Sequence, residues 1–134
     1  MVGIVIVSHS SQAADGIKDI ALQMADVLDL KLSACGGNKE GGIGTDPDKI
    51  LKAVEGVYSS EGVVIIADLG SAVMCVEMLV EGMSAEKARN IRVADAPILE
   101  GAVMAAIEAS AGADLESVLA GAEAARDMRK IERD

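Results

Sequence analysis

An apolar run near the start of the chain, which turns polar abruptly, restricts the possible folds more than any other part of the sequence. Residues 4–7 read Ile-Val-Ile-Val, and residues 8–11 read Ser-His-Ser-Ser. An unbroken run of branched apolar side chains is typical of a strand buried on both faces of a parallel sheet. A helical pattern with Ile17, Ile20 and Met24 on one side follows. This order indicates a central strand that passes through a short polar turn into a helix.

His9, the only histidine in the chain, lies in that turn. Ligands of open α/β sheets bind at the carboxyl ends of the strands. The helix that follows presents backbone N–H groups without partners and a partial positive charge, which favour an anion such as phosphate. We therefore interpret His9 as a candidate nucleophile beside an anion site. The competing interpretation is a surface histidine that is only held by its neighbours.

Composition bounds the class of protein. A chain of 134 residues, 51% of them hydrophobic, can bury a core of its own, and we expect residues 1–134 to form a single domain. The net charge of −10 argues against nucleic acid and against an anionic membrane surface as partners. The charge either favours partners with basic patches or only keeps the protein in solution.

The sequence shows no targeting segment and no cofactor fingerprint. No apolar run reaches the length of a membrane span, the N-terminus lacks the features of a signal peptide, and two cysteines do not make a disulfide framework, so we expect a cytoplasmic protein. The glycines fit neither the phosphate-binding loop of proteins that bind nucleoside triphosphates nor the glycine fingerprint of dinucleotide-binding domains. One histidine and two separated cysteines are too few for a zinc site, and we expect neither a metal nor another cofactor.

Hydrophobic periodicity predicts four strands that alternate with helices. The strands are expected at residues 2–8, 30–34, 63–67 and 90–94, and the helices at 11–28, 45–56, 71–80, 98–110 and from 115 onward. Ser10 or Ser11 is expected to cap the first helix, Thr45 with Asp48 to form a capping box, and Asp114 to cap the last helix. The order predicts an α/β fold: a doubly wound, mainly parallel sheet with strand order 2-1-3-4 and helices on both faces.

Asp68 follows the third strand as His9 follows the first. The strand order places the two residues side by side. A carboxylate that accepts one ring N–H leaves the other ring nitrogen with its lone pair aimed outward. Such a histidine is a suitable nucleophile for phosphorus. The alternative role for Asp68 is an N-cap of the third predicted helix.

Residues 35–45 include five glycines and form a long loop after the second strand. The loop either folds over the same edge of the sheet to contact a ligand or is a mobile surface connection. Backbone N–H groups at this edge, with the Thr45 hydroxyl, are expected to hold phosphoryl oxygens. The candidate residues are Ser10, Ser11, Gly42, Gly44, Thr45, Gly70 and Ser71. A nucleophilic Cys35 is a weaker alternative, because no neighbour in sequence would obviously lower the pKa of its thiol.

The predicted helix at residues 71–80 is apolar nearly all round, with Glu77 as its only charged residue. A helix of this kind needs burial on more than one side. In so small a domain we expect a partner subunit to cover part of it, and therefore a homodimer through this helix.

Three segments together indicate a family. They are Ile4-Val5-Ile6-Val7-Ser8-His9-Ser10, Gly41-Gly42-Ile43-Gly44-Thr45-Asp46 and Ala67-Asp68-Leu69-Gly70-Ser71-Ala72. In this order, on three successive strand ends, they resemble the DhaM-type phosphoryl-carrier subunits of phosphotransferase-dependent dihydroxyacetone kinases. The first domain of those subunits belongs to the mannose-type enzyme IIA family. The resemblance covers residues 1–126.

The resemblance implies a role for each part of the site. His9 would be phosphorylated on Nε2, Asp68 would orient its ring, and residues 41–45 would line the site. The phosphoryl donor would be the histidine-phosphorylated carrier HPr. The acceptor would be ADP bound on a kinase subunit, and the ATP formed there would phosphorylate dihydroxyacetone. The family also forms homodimers.

Two alternatives to this function stay open. One is a IIA component of a mannose-type sugar transporter, which would differ only in its partners. Sugar-transporting members usually have a longer, proline-containing segment after the strand-end aspartate, and its absence after Asp68 favours the kinase branch. The other alternative is a non-catalytic regulatory module that binds a small anion at the strand ends.

Overall fold

Strands and helices alternate along the chain in the computed structural model, which describes residues 1–25 and 29–133. The strands are β1 (Gly3–Ser8), β2 (Leu32–Gly36), β3 (Val63–Ala67) and β4 (Ile91–Val93). The helices are α1 (Ser11–Ala25), α2 (Pro47–Val57), α3 (Gly70–Glu81), α4 (Ala85–Arg89), α5 (Ile98–Ser110) and α6 (Leu115–Ala124). A 3₁₀ turn follows at Ala125–Asp127.

The four strands form one parallel sheet in the order β2-β1-β3-β4. This confirms the predicted α/β fold and strand order. β1 and β3 are the central strands, and their carboxyl ends lie side by side because Val7 pairs with Ala67. The backbone N–H of Asp68 then donates to Val7 O at 3.1 Å. Strand pairing therefore brings together the two turns in which the sequence analysis placed its candidate residues.

Side chains of β1 and β3 alternate between two apolar layers, one on each face of the sheet. The layer against α1, α5 and α6 contains Ile4, Ile6, Val64 and Ile66. The layer against α2 and α3 contains Val5, Val7, Val63, Ile65 and Ala67. Every residue of both strands is buried. The unbroken apolar runs of the sequence are thus explained by helices that cover both faces.

The bounds of β2 and β4 differ from those predicted. β2 lies two residues later than residues 30–34, because pairing with β1 sets its register and matches its last residue, Gly36, with Ser8. β4 is shorter than residues 90–94 by one residue at each end. The short helix α4 was not predicted, since five residues are too few to show a helical period.

The start of α2 corrects the predicted capping box. Asp46, not Thr45, is the N-cap, and its carboxylate accepts the Asp48 N–H at 3.4 Å. Pro47 opens the helix and favours an extended conformation for the residue before it. Asp46 accordingly has φ −130° and ψ 117°, the geometry of an N-cap.

The other helix bounds agree closely with the predictions. α5 spans residues 98–110 as predicted, and Asp114 caps α6 by accepting the Ser117 N–H at 2.9 Å. α3 is longer than predicted by one residue at each end. α2 passes Gly56 and ends at Val57, whose side chain is buried. The predicted end of the first helix, residues 26–28, lies outside the described residues. In the described parts of the chain, no helix has the length and apolarity to cross a membrane.

Gly3 and Gly16 offer a matched pair of substitutions for testing the packing of β1. A Cβ at residue 3 would lie 2.5 Å from Val57 O, whereas a Cβ at residue 16, on an exposed position of α1, would meet nothing within 4 Å. We expect Gly3→Ala to lower the free energy of unfolding by about 1–3 kcal/mol. Gly16→Ala should raise it by about 0.5–1 kcal/mol, because alanine favours a helix. Urea unfolding measures both, and an unchanged Gly3→Ala protein would contradict the close approach of β1 and α2.

Candidate functional site

The candidate site lies at the carboxyl edge of the sheet, where the two central strands end. β1 passes through His9 and Ser10 into α1, and Ser10 Oγ caps that helix by accepting the Ala13 N–H at 3.2 Å. β3 passes through Asp68 and Leu69 into α3. Because β1 and β3 are paired, these two turns are neighbours in space.

His9 and Asp68 contact each other through both the backbone and the ring. The ring Nδ1 lies 2.8 Å from Asp68 Oδ1, and the His9 backbone N–H donates to Asp68 Oδ2 at 2.9 Å. The two side chains are 19% and 20% exposed, so the pair is held by the protein yet open to a reactant. Asp68 does not cap α3, since the N-cap is Leu69. The alternative role considered for Asp68 is therefore wrong, and its side chain binds the histidine instead.

Two further donors complete the surroundings of the Asp68 carboxylate. The Ser8 hydroxyl donates to Oδ2 at 2.8 Å, and the Leu69 N–H donates to Oδ1 at 2.7 Å. Burial raises the pKa of Asp68, but the hydrogen bonds from His9, Ser8 and Leu69 outweigh it and lower this pKa from 3.8 to about 2. Asp68 is therefore an anion throughout the neutral pH range.

The charge of Asp68 decides which ring nitrogen of His9 carries the proton. An ionised carboxylate can only accept hydrogen bonds, so Nδ1 must hold the proton that it donates to Asp68. In the neutral ring, Nε2 then keeps its lone pair. Nε2 lies 2.8 Å from Ser71 Oγ, and the serine hydroxyl can donate to it. The geometry leaves Nε2 as the ring nitrogen with an available lone pair, and the start of α3 lies beside it.

The glycine-rich loop after β2 is held by Asn38, which the sequence analysis did not single out. Asn38 Oδ1 accepts the N–H groups of Glu40 at 3.1 Å and Gly42 at 2.8 Å. Its backbone O accepts the Lys49 ammonium at 2.7 Å, and Lys49 was also missed. A signal for Asn38 was available, because asparagine in turns commonly accepts a backbone N–H two residues on. These contacts favour a defined loop over the mobile connection considered as an alternative.

The loop also contacts the turn that carries the histidine. The Gly44 N–H donates to His9 O at 2.9 Å. At the end of β2, Gly36 lies so close to this turn that a Cβ there would be 2.6 Å from Ser10 O and 2.8 Å from Ser8 O. Only glycine allows this approach without displacing the backbone. The loop and the β1–α1 turn therefore position each other.

The predicted phosphoryl-binding residues differ in what their N–H groups already do. Those of Ser10, Gly42 and Gly44 are engaged with Ser8 Oγ, Asn38 Oδ1 and His9 O. Ser11, Gly70 and Ser71 open α1 or α3, where first-turn N–H groups have no partner within the helix.

The predicted phosphoryl-binding residues are also divided among separate parts of the carboxyl edge of the sheet. Ser10, Ser11 and Gly42 line one surface cleft of about 280 Å³. Thr45 lies beside Cys35 and Lys49. Of the predicted set, the Ser71 side chain is the one that lies at hydrogen-bond distance from the ring of His9.

Cys35 is a poor competing nucleophile. Burial raises the pKa of its thiol to about 11, and Lys49 lowers that pKa by less than burial raises it. The thiol therefore stays protonated near neutral pH.

In residues 1–25 and 29–133, no three His, Cys, Asp or Glu side chains come together in a way that could hold a metal ion.

Comparison with known proteins places the chain among phosphotransferase components. A family model described as "PTS system fructose IIA component" matches residues 3–119. A protein of Escherichia coli (strain K12), "PEP-dependent dihydroxyacetone kinase, phosphoryl donor subunit DhaM", is 34% identical over 132 residues. That alignment covers 97% of this chain but only 28% of the relative, so the chain spans little more than a quarter of that protein. These matches confirm the resemblance drawn from the three sequence segments.

Shorter relatives align over most of their own length. The "PTS-dependent dihydroxyacetone kinase, phosphotransferase subunit DhaM" of Lactococcus lactis is 34% identical, over 87% of this chain and 89% of the relative. Among solved structures, the "unknown function protein EF1359" is 35% identical with a TM-score of 0.78, covering 92% of this chain and 94% of that one. A "sigma-54 interaction domain protein from Enterococcus faecalis" has a TM-score of 0.69 at 16% identity, which shows a shared fold alone.

Asp68 is expected to stabilise the folded protein in a way that depends on pH. Its pKa is lower in the folded protein than the ordinary 3.8, so this stabilisation is present above that value and is lost as pH falls toward 2. We expect the difference in free energy of unfolding between wild type and Asp68→Asn to shrink as pH falls from about 4 toward 2. Denaturant unfolding at each pH measures it. A difference that did not change with pH would contradict the hydrogen-bonded carboxylate.

Proposed function

The chain belongs to the family of PTS system fructose IIA components, and from this premise we propose that it carries a phosphoryl group on Nε2 of His9. The observation that supports the proposal most directly is the contact of Nδ1 with an ionised Asp68, which leaves Nε2 unprotonated at the open edge of the sheet. We further propose that residues 1–134 act as one IIA domain of the mannose type, and that the reaction takes place in the cytoplasm.

The first half of the reaction moves the phosphoryl group onto the chain. The Nε2 lone pair of His9 attacks the phosphorus of a donor phosphohistidine. An N–P bond forms at Nε2 while the N–P bond of the donor breaks, and the donor nitrogen keeps the electron pair. The proton of His9 stays on Nδ1 throughout. The positive charge that develops on the ring therefore faces the Asp68 carboxylate at 2.8 Å.

Ser71 and the start of α3 are proposed to receive the phosphoryl oxygens. The Ser71 hydroxyl occupies the space beside Nε2 in the unphosphorylated protein, and it can turn its O–H from Nε2 to a phosphoryl oxygen. The first-turn N–H groups of Gly70 and Ser71 add donors, and the helix N-terminus adds partial positive charge. Ser10, Ser11, Gly42, Gly44 and Thr45 form the remainder of the proposed phosphoryl-binding set.

In the second half of the reaction the chain passes the phosphoryl group to an acceptor. The identities of both the donor and the acceptor are proposals. The donor is the histidine-phosphorylated carrier HPr, and the acceptor is ADP on a dihydroxyacetone kinase subunit. An oxygen of the ADP β-phosphate attacks phosphorus, the Nε2–P bond breaks, and Nε2 recovers its lone pair. The ATP formed then phosphorylates dihydroxyacetone on the kinase. The support is that relatives from Escherichia coli and Listeria innocua are named phosphoryl donor subunits of PEP-dependent dihydroxyacetone kinase.

A second candidate is the IIA component of a sugar transporter, which the description of the matching family as a fructose component favours. The chemistry at His9 would be the same, and only the acceptor would differ. Which protein discharges the phosphorylated chain therefore separates the two: ADP with the kinase subunit, or a sugar-specific component of a transporter.

His9→Gln is expected to abolish phosphorylation without unfolding the protein. His9 lies in a turn at the edge of the sheet rather than in the core, so its loss removes the nucleophile and little packing. Intact-mass analysis after incubation with phosphoenolpyruvate, enzyme I and HPr should show one acid-labile phosphoryl group on the wild type and none on His9→Gln. Asp68→Asn should be phosphorylated at least about tenfold more slowly, since it loses a charge-assisted hydrogen bond to the ring.

Asp114→Asn is the matched control for Asp68→Asn, because Asp114 also accepts a backbone N–H but caps the distant helix α6. It should be phosphorylated at the wild-type rate, since asparagine caps a helix as well as aspartate does. A folded wild type that takes up no phosphoryl group from active HPr would contradict the carrier function and favour the non-catalytic anion-binding module. A His9→Gln protein that still transfers would contradict the assignment of the nucleophile.

We also propose that the chain forms a homodimer through α3. Ala72 and Val76 bury one side of this helix, while Met74 and Met78 on the other side are 65% and 70% exposed. With Pro47 and other neighbours, these methionines line an apolar surface groove of about 470 Å³. Exposed apolar surface of this kind favours burial by a protein partner, and a second copy presents the same apolar surface.

Met78→Glu is expected to convert the dimer to a monomer, because it places a charge in the apolar contact. Met24→Glu is the matched control: Met24 is 59% exposed, but it lies on α1, against the opposite face of the sheet. Analytical ultracentrifugation should show dimers for the wild type and Met24→Glu and monomers for Met78→Glu. A monomeric wild type would contradict the proposal. A dimeric Met78→Glu that accepts phosphoryl groups slowly from HPr would assign this face to the donor instead.

A further inference from the structure

Ser8 is the one polar residue that is fully buried in the described ranges of the chain, with 2% of its surface exposed. It is the last residue of β1, and its hydroxyl has two partners. It donates to Asp68 Oδ2 at 2.8 Å and accepts the Ser10 N–H at 3.1 Å. A buried hydroxyl that both donates and accepts is satisfied where it lies, so its position is well defined.

These contacts divide the donors of Asp68 evenly between its two oxygens. Oδ1 accepts from the His9 ring and from the Leu69 N–H, and Oδ2 accepts from the His9 backbone N–H and from Ser8. Two donors on each oxygen fix the plane of the carboxylate. Among these four donors, the Ser8 hydroxyl is the only side-chain donor besides the ring itself.

We propose that Ser8 is a positioning residue for phosphoryl transfer: its hydroxyl holds the Asp68 carboxylate in the plane that keeps the His9 proton on Nδ1 and the lone pair on Nε2. The inference rests on the proposed carrier function of His9. Without the hydroxyl, Oδ2 retains one backbone donor, and the carboxylate can turn about its terminal torsion, which has a broad energy minimum. The Nδ1–H contact then weakens, and the tautomer with the proton on Nε2 becomes populated. That tautomer has no lone pair with which to form the bond to phosphorus.

The second contact of Ser8 extends its role to the start of α1. The Ser10 N–H that it accepts belongs to the residue whose own hydroxyl caps that helix. Ser8 therefore joins the end of β1, the aspartate after β3 and the first turn of α1. The hydroxyl oxygen of Ser8 thus fixes the position of β1 relative to α1, the two elements on either side of His9.

Ser8→Ala and Ser8→Thr separate the hydroxyl from the rest of the side chain. Alanine removes the donor and adds no volume, whereas threonine keeps the donor and suits a strand. Ser110→Ala is the matched control, because it also removes a hydrogen-bonded serine hydroxyl, in this case one that is half-buried and donates to Ile107 O at the end of α5. If Ser8→Thr fails to fold because of its extra methyl group, Ser8→Cys, with a weaker S–H donor, should give an intermediate result.

The first measurement needs no phosphoryl donor. The method is ¹⁵N NMR of a protein labelled with ¹⁵N-histidine. Because His9 is the only histidine in the chain, the ring signals in the spectrum come from the two ring nitrogens of this one residue. In the neutral ring we expect the wild type, Ser8→Thr and Ser110→Ala to show the proton on Nδ1 alone. Ser8→Ala should show a mixture of the two tautomers. A purely structural role of Ser8 would leave the tautomer unchanged.

The second measurement is the initial rate of phosphorylation by phospho-HPr. Ser8→Ala should be slower by about tenfold, the effect of losing one hydrogen bond to a charged group, and Ser8→Thr should restore the rate. A Ser8→Ala protein with the wild-type tautomer would overturn the inference, whether or not its rate falls. A wild type that takes up no phosphoryl group would overturn the carrier function instead, and the tautomer comparison would still decide whether Ser8 positions Asp68 and the ring.

Discussion

The carboxylate of Asp68 is the interaction on which the site depends. It joins the ends of the two central strands, because it stands after β3 and accepts hydrogen bonds from Ser8 and His9 at the end of β1. Parallel pairing of these strands brings the donors within reach, and both strands are buried along their whole length. The carboxylate in turn decides the tautomer of the ring, so the ring nitrogen of His9 that keeps its lone pair follows from the register of the sheet.

The electrostatics of the site suit the binding of an anion beside the ring of His9. Asp68 stays ionised, since its hydrogen bonds lower its pKa to about 2. It therefore stabilises positive charge on the ring without taking the proton. On the other side of the ring, the N-terminus of α3 and the Ser71 hydroxyl face Nε2 and offer donors for an anion. An anion beside Nε2 would therefore meet hydrogen-bond donors and a partial positive charge that are already in place.

The scaffold and the site carry different information about function. The parallel sheet and its helices do not by themselves identify the chemistry, because one fold can carry many unrelated functions. The side chains of the candidate site lie in turns and loops at one edge of the sheet. Loops of this kind can vary in sequence while the strands hold their ends in place. Asn38 is an example of a loop residue that shapes the site. Its side chain accepts a backbone N–H of the glycine-rich loop, and the Gly44 N–H of the same loop donates to His9 O.

Patterns along the sequence were sufficient to predict the class of fold, the order of the strands and the approach of His9 and Asp68. Two unbroken apolar runs, each followed at once by a polar turn, are compatible with few arrangements other than central parallel strands. Local signals also placed α5 and the Asp114 cap, since both depend on residues close in sequence.

Other features depend on partners that are distant in sequence, and they could be seen only in the folded chain. The register of β2 follows from pairing with β1, and hydrophobic alternation within β2 could not reveal it. The Ser8 hydroxyl and the Asn38 side chain acquire their roles from hydrogen bonds that form only when the chain is folded, and Ser8 bonds across 60 positions of sequence. Periodicity reports which side of an element is buried, whereas the partner of a buried polar atom is set by how the elements pack.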